Sequence, residues 1–126
     1  MKTTKIFPLE KPIDAIVSIP GSKSYTNRAL LMAALVGKTV RIKNPLLSDD
    51  TMAMIDCLKV LGIKVELKGE TLEVVGDIRS VADTSYDLNA HLSGTTIRFV
   101  LALSAVIAGV KTIRGEGRLN ERPIGD

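Results

Sequence analysis

Apolar and polar positions change rhythm repeatedly along this chain, and each rhythm predicts an element. Residues 1–11 are mixed in character and end near Pro12, which suits a short strand or arm. Asp14-Ala15-Ile16-Val17-Ser18-Ile19 is β-rich and stops at Pro20-Gly21, a strand followed by a turn. The apolar run from Ala29 to Leu35 predicts a helix over residues 24–36, closed by Gly37. Residues 39–43 alternate, as in a strand with one wet face, and Asn44-Pro45 ends them. Ser48-Asp49-Asp50 opens a second helix: serine caps a helix start, and carboxylates in the first turn complement the dipole. Met54, Ile55, Leu58 and Leu61 fall at helical spacing and form its buried stripe, and Gly62 stops it. Residues 63–67 and 71–75 alternate cleanly, with Lys68-Gly69-Glu70 between them as a hairpin turn.

The order strand, helix, strand, helix, strand, strand then begins again. A strand is predicted over 84–88, an apolar helix over 97–107 stopped by Gly109, and a strand over 110–114. Arg122-Pro123 predicts a further helix start, because proline suits the first helical turn. The repetition lies in element order rather than in residues. It predicts an α/β fold of stacked units. The chain stops early in a helix of the second unit, so a fragment of a longer protein is expected.

Composition narrows the functional classes. A chain of 126 residues is enough for one domain burying roughly two thirds of its unfolded surface. Aromatic residues make up 3% with no Trp, which argues against a nucleic-acid reader that stacks bases on rings. The net charge is +3 and the basic residues are dispersed, which fits small anionic ligands better than a polyanion. One cysteine, Cys57, and one histidine, His91, argue against a disulfide framework and a zinc site. Cys57 and the internal methionines read as core, and His91 as a solvated loop residue. The N-terminus lacks the apolar core of a signal peptide, and the longest apolar run, residues 99–108, is too short to span a bilayer. A soluble cytoplasmic protein is expected.

The candidate chemistry sits at the turns. In Pro20-Gly21-Ser22-Lys23-Ser24-Tyr25-Thr26-Asn27-Arg28, Ser22 or Ser24 can cap a helix whose free N–H groups attract anions. Lys23 adds a mobile charge, and Arg28 adds a fork suited to phosphate or carboxylate about one helical turn on. The stretch is not a P-loop, because Ser22 separates Gly21 from Lys23 and no glycine lies upstream at the required spacing. Ser93-Gly94-Thr95-Thr96-Ile97-Arg98 is a second turn of this kind, with Gly94 open to close approach of a ligand. Arg118-Leu119-Asn120-Glu121-Arg122-Pro123 is a third, which alone reads as a surface loop with an Arg–Glu pair. Three helix starts carrying Lys or Arg predict a pocket for a ligand with several anionic groups. Asp49 and Asp50 mark a helix start of opposite sign and read as ordinary capping.

These turns, with Ser48-Asp49-Asp50 and Glu121-Arg122-Pro123-Ile124-Gly125, resemble in order and spacing those of the 5-enolpyruvylshikimate-3-phosphate synthase family, from about residue 19 to residue 126. The resemblance implies transfer of the carboxyvinyl group of phosphoenolpyruvate to the 5-hydroxyl of shikimate 3-phosphate, with release of phosphate and no metal or organic cofactor. It implies that Lys23 touches both substrates. Ser24 and Arg28 would hold shikimate 3-phosphate, Gly94 and Arg122 phosphoenolpyruvate, and Asp49, Thr95 and Arg98 would support them. It also implies two domains built of repeated βαβαββ units. This chain would carry about one and a half units, residues 20–126 forming part of the N-terminal domain. Residues 1–19 would be an arm that belongs with the second domain. The family's acid–base carboxylates and lysine would lie outside this chain, so the chain alone is expected to be inactive and the full-length protein to be a monomer.

The chain departs from the family pattern at Leu92-Ser93, where Asn-Ala or Asn-Ser is usual, at Gly117 in place of a frequent Pro, and at Phe99, where many members have Pro. Ser24 after Lys23 argues against the sister enolpyruvyl transferase acting on UDP-N-acetylglucosamine, which has Asn there. A non-catalytic phosphate-binding module of the same fold, and a structural domain with surface charge only, are the remaining alternatives.

Overall fold

A computed structural model describes residues 3–123. Helix α1 (Lys23–Val36) is followed by β1 (Val40–Lys43), α2 (Asp49–Val60), β2 (Lys64–Lys68) and β3 (Thr71–Val75). β4 (Ser85–Asn89), α3 (Gly94–Ser104) and β5 (Val110–Arg114) complete the regular elements. β3 is the centre of a three-stranded antiparallel sheet, with Val40 opposite Val74 on one side and Val65 opposite Val74 on the other. β1 and β2 therefore run parallel to each other, and α2 is the crossover between them. β4 and β5 form a parallel pair, Ser85 opposite Val110, with α3 as their crossover. From α1 onward the elements follow the predicted α/β order.

The core lies between the helices and the sheets. Leu30 and Ala34 of α1, Met54 and Leu58 of α2, Val74 of β3, Leu88 of β4 and Val100 of α3 are all fully buried. The helical stripe read from Met54, Ile55, Leu58 and Leu61 is buried throughout. Of the internal methionines only Met54 is core. Met32 and Met52 are exposed, because no described element covers their helix faces.

Two expectations are corrected. Residues 14–19 form no strand, and Ile16, Val17 and Ile19 are exposed. Their β-branched side chains favour extension, but no described strand pairs with them. The third helix ends at Ser104, three residues short of the predicted end. The Lys111 ammonium donates to the carbonyls of Ile107, Ala108 (2.6 Å) and Gly109 (2.8 Å), so they bind a side chain rather than a further helical turn. Gly109 has φ +86°, and a Cβ there would lie 2.1 Å from the Thr84 carbonyl oxygen. That close approach lets Val110 N–H donate to Thr84 (3.0 Å) and sets the β4–β5 register. Arg122 follows a 3-10 turn, Gly117–Glu121, with extended backbone. The helix expected after Pro123 lies outside the described residues.

Three buried threonines fix where the helices start. Thr26 in α1 donates to Ser22 O (2.9 Å) and accepts from Leu46 N–H (3.0 Å) in the β1–α2 loop. Thr51 in α2 donates to Leu46 O (2.8 Å) and accepts from Ser48 N–H (2.7 Å). Thr96 in α3 donates to Asp50 O (3.0 Å) in α2 and accepts from the Ser93 hydroxyl (2.8 Å). Gly21 allows the first tie, since a Cβ there would sit 2.3 Å from Asn44 O. The three helix N-termini are thereby linked in a row.

Two outcomes follow. Thr96→Val keeps the side-chain shape but removes the bonds to the Asp50 carbonyl and the Ser93 hydroxyl, and should cost about 0.5–1.5 kcal/mol in urea unfolding. An unchanged midpoint and slope would refute the tie. Burial, with the Asp56 charge adding to it, pushes the Cys57 thiol up to about 11, and its S–H donates to Asn89 O (3.4 Å). A disulfide reagent at pH 8 should label Cys57 only after urea unfolding. Rapid labelling of the folded chain would contradict this.

Candidate functional site

The helix starts deliver their side chains to one cleft of about 570 Å³. The Ser22 hydroxyl caps α1, accepting from Tyr25 N–H at 3.4 Å, and so aims the first turn at the cleft. Lys23, Ser24 and Arg28 line it from α1, and Asp50 from α2. Gly94, Thr95 and Arg98 line it from α3, where the Ser93 hydroxyl accepts from Thr96 N–H at 3.1 Å. Arg122 comes from beyond the 3-10 turn, and Leu92 and Phe99 supply apolar wall.

The charge balance is one-sided: four cationic side chains against one carboxylate. Basic residues dispersed in the sequence are gathered by the fold. Lys23 Nζ donates to Asp50 Oδ2 at 2.7 Å, which holds the ammonium at the cleft edge. Arg98 donates to Gly94 O (3.2 Å) and Pro123 O (3.3 Å), bracing α3 against the segment that carries Arg122. Among the described residues neither Arg28 nor Arg122 has a side-chain hydrogen bond or an ion pair, so both forks face the cleft uncommitted. A Cβ on Gly94 would lie 3.4 Å from Arg122 Nη1 and 3.7 Å from Arg98 Nη1. The bare backbone of Gly94 thus keeps open the space in front of two guanidiniums. Such a cleft can bind phosphate and carboxylate groups by bidentate contacts and helix N–H donors.

Seven of the eight residues singled out in the sequence meet here: Lys23, Ser24, Arg28, Gly94, Thr95, Arg98 and Arg122. Asp49 does not. It is exposed and lines a neighbouring hollow of about 440 Å³ with Asp56, His91 and Glu116, while Asp50 takes the place facing Lys23. Helical rotation of 100° per residue separates the two aspartates, and the sequence did not say which would turn inward. The buried threonines were also missed. Their signal was a Thr three or four positions after each capping serine: Ser22/Thr26, Ser48/Thr51 and Ser93/Thr96. Among the described residues no three His, Cys, Asp or Glu side chains meet as metal ligands, and no helix is long and apolar enough to cross a membrane.

The Lys23 hydrogen bond, aided by one from Ser93, holds the Asp50 carboxyl below its ordinary value. A depressed carboxyl stabilises the fold above its unfolded pKa, near 3.8, and loses that contribution as pH falls through the native value. Asp50→Asn should therefore be less stable than the parent at pH 7, by on the order of 1 kcal/mol or less for a half-exposed pair. The gap should narrow progressively as pH falls below 3.8. A gap of constant size in acid unfolding curves would rule the pair out as its cause.

The family model for EPSP synthase (3-phosphoshikimate 1-carboxyvinyltransferase) matches residues 9–126. A 3-phosphoshikimate 1-carboxyvinyltransferase of Nostoc punctiforme is 42% identical over 128 residues, covering all of this chain and 30% of that protein. One from Paraburkholderia phymatum is 44% identical over 110 residues, covering 87% of this chain and 25% of its own length. The solved EPSP synthase from Acinetobacter baumannii superposes with a TM-score of 0.74 at 21% identity over 86% of this chain and 25% of that one, a likeness of fold. The chain thus spans about 30% or less of the length of these curated relatives. By the match over residues 9–126, it belongs to the EPSP synthase family.

Proposed function

We propose that this chain supplies half of the substrate site of an enzyme that transfers the carboxyvinyl group of phosphoenolpyruvate to the 5-hydroxyl of shikimate 3-phosphate, releasing phosphate. The observation that carries this reading is the convergence of Lys23, Arg28, Arg98 and Arg122 on one cleft in a chain of this family. The two substrates bring two phosphates and two carboxylates, and fixed guanidiniums bind such groups without reorganising.

Lys23, between α1 and Asp50, touches both substrates. Ser24 and Arg28 hold the phosphate of shikimate 3-phosphate. Gly94 and Arg122 hold phosphoenolpyruvate, with Thr95 and Arg98 supporting them, and Asp50 rather than Asp49 orients Lys23. The transfer passes through a tetrahedral intermediate, so charge shifts on the phosphoenolpyruvate fragment. Preorganised donors around that fragment lower the barrier by binding the shifted charge and by fixing the two reactants. The proton-moving groups belong to segments outside these 126 residues, so the chain alone does not turn over.

Residues 20–126 form part of the N-terminal domain, and residues 1–19 pack on the second domain. The exposed apolar side chains Ile6, Phe7, Ile13 and Ile16 support that placement. The whole protein is read as a monomeric cytoplasmic enzyme of the shikimate pathway, acting on small molecules without a metal or organic cofactor and without nucleic-acid or membrane partners.

Calorimetric titration of the chain with shikimate 3-phosphate should give weak binding that Arg28→Ala reduces at least tenfold, the loss of a charge-assisted pair of about 1.5–3 kcal/mol. Equal affinity in the variant would remove Arg28 from the site. A phosphate-release assay with both substrates should show no turnover, and measurable turnover would refute the half-site reading. Gly94→Ala should leave the fold stable, since no described atom lies nearer than 3.4 Å to the added Cβ. Overpacking of the phosphoenolpyruvate subsite should weaken that ligand by about 1–3 kcal/mol, tenfold or so. Unchanged affinity would place the ligand elsewhere.

A further inference from the structure

Two loops meet behind the phosphoenolpyruvate side of the cleft. The loop from β4 to α3 leads into Gly94 and Thr95, and the segment after β5 leads through the 3-10 turn to Arg122. They are sewn together by a set of hydrogen bonds around His91 and Glu116. Glu116 N–H donates to His91 O at 2.7 Å. Asn89 Nδ2 donates to Glu116 Oε1 at 2.9 Å, and His91 N–H donates to Asn89 Oδ1 at 2.8 Å. His91 Nδ1 lies 2.8 Å from Glu116 Oε1. His91 sits at φ +49°, in the left-handed region, so its backbone is turned to bring the ring over Glu116.

We propose that His91 and Glu116 are positioning residues: their clasp fixes the Arg122 segment against the start of α3, and its strength depends on the protonation of His91. This rests on the reading of Gly94 and Arg122 as the phosphoenolpyruvate subsite. Neither residue lines the cleft, and both face the neighbouring hollow.

The clasp joins two sides of one subsite. Leu92 follows His91 and lines the cleft, and Gly94 is two residues on. On the other strand, Glu116 precedes the turn whose Leu119 packs on Ala90 and Ile97. Shifting Glu116 relative to His91 therefore shifts Arg122 relative to Gly94. Histidine changes charge near neutral pH. As imidazolium it donates Nδ1–H to a carboxylate with charge assistance. As neutral imidazole it keeps at most an ordinary hydrogen bond. Asp49, Asp50 and Asp56 of α2 line the same hollow as His91, and Arg114 lies near Glu116. Hydrogen bonds from Asn89 and then His91 hold Glu116 below its ordinary carboxyl value, so it remains the charged partner.

The chain has a single histidine, so one imidazole signal reports on the clasp in a nuclear magnetic resonance pH titration of the whole 126-residue chain. Without ligand, the Gly94 and Arg122 amides should shift with the same midpoint as the imidazole. Glu116→Gln and His91→Asn should abolish that shared step. Asparagine tolerates the left-handed backbone, so His91→Asn removes the ring without removing the turn. Amides that do not follow the imidazole, or that follow it equally in Glu116→Gln, would overturn the proposal whatever the ligand does. Phosphoenolpyruvate is then titrated into all four chains, including the double variant, at pH 6 and pH 8. The parent should lose about two- to fivefold more affinity over that interval than the variants, the worth of an exposed pair. The ligand's own titration is common to all four and cancels. If the amides follow the imidazole but phosphoenolpyruvate leaves Gly94 and Arg122 untouched, the clasp stands as a pH-dependent link between the loops and the subsite reading fails.

Discussion

The cleft depends on three buried threonine hydroxyls that tie the starts of three helices to one another. A helix start carries N–H groups with no partner inside the helix, and it carries the positive end of the dipole. Left to themselves, three such ends have no reason to sit together. Thr26, Thr51 and Thr96 supply one. Each hydroxyl joins its own helix start to a neighbouring main-chain or capping group, and Leu46 serves both Thr26 and Thr51. In a dry environment an unpaired hydroxyl or carbonyl is costly, so these bonds specify the arrangement more sharply than apolar packing does. The core beneath, from Leu30 through Leu58 to Val100, supplies the burial energy but tolerates small slides.

Most elements were legible because local chemistry and tertiary packing agreed. α2 had a cap, acids in its first turn, an apolar stripe and a stop glycine, and it forms over Asp49–Val60. The β2–β3 hairpin had two clean alternations and a turn glycine between them. Failure came where the deciding partner was distant in sequence. Residues 14–19 have strand-like side chains, but a strand is a property of a pair, and no described edge receives them. The end of α3 was decided by Lys111, seven residues beyond Ser104, through its bonds to the carbonyls of the turn.

The site was legible as residue types and not as geometry. Lys23, Arg28, Arg98 and Arg122 stand out in turns, and the fold brings them to one cleft. What sequence spacing does not reveal is which neighbour they meet. Asp49 and Asp50 are chemically alike, but 100° of helical rotation sends Asp50 to Lys23 and keeps Asp49 out of the cleft. The same limit hid His91: as a lone loop histidine it looked solvated, and its ring is indeed half-exposed, but Glu116, 25 residues on, comes within 2.8 Å.

The charge pattern of the cleft sets stability against use. Gathering Lys23, Arg28, Arg98 and Arg122 around about 570 Å³ raises the local positive potential, and like charges oppose the compact state. Two devices limit the cost. Asp50 neutralises the cation nearest to it, and Arg98 is turned onto the carbonyls of Gly94 and Pro123 rather than onto another side chain. Arg28 and Arg122 have no such relief among the described residues, and a bound anion is what they lack energetically. Any ligand that pairs with them stabilises the folded chain in proportion to its affinity. A second carboxylate placed beside Arg28 would give the same relief permanently, and would fill the fork that the cleft holds open. That the one cleft carboxylate among the described residues is spent on Lys23, the cation at the border between the two proposed subsites, is consistent with a need to aim that one ammonium while the two forks are left unpaired by any described residue.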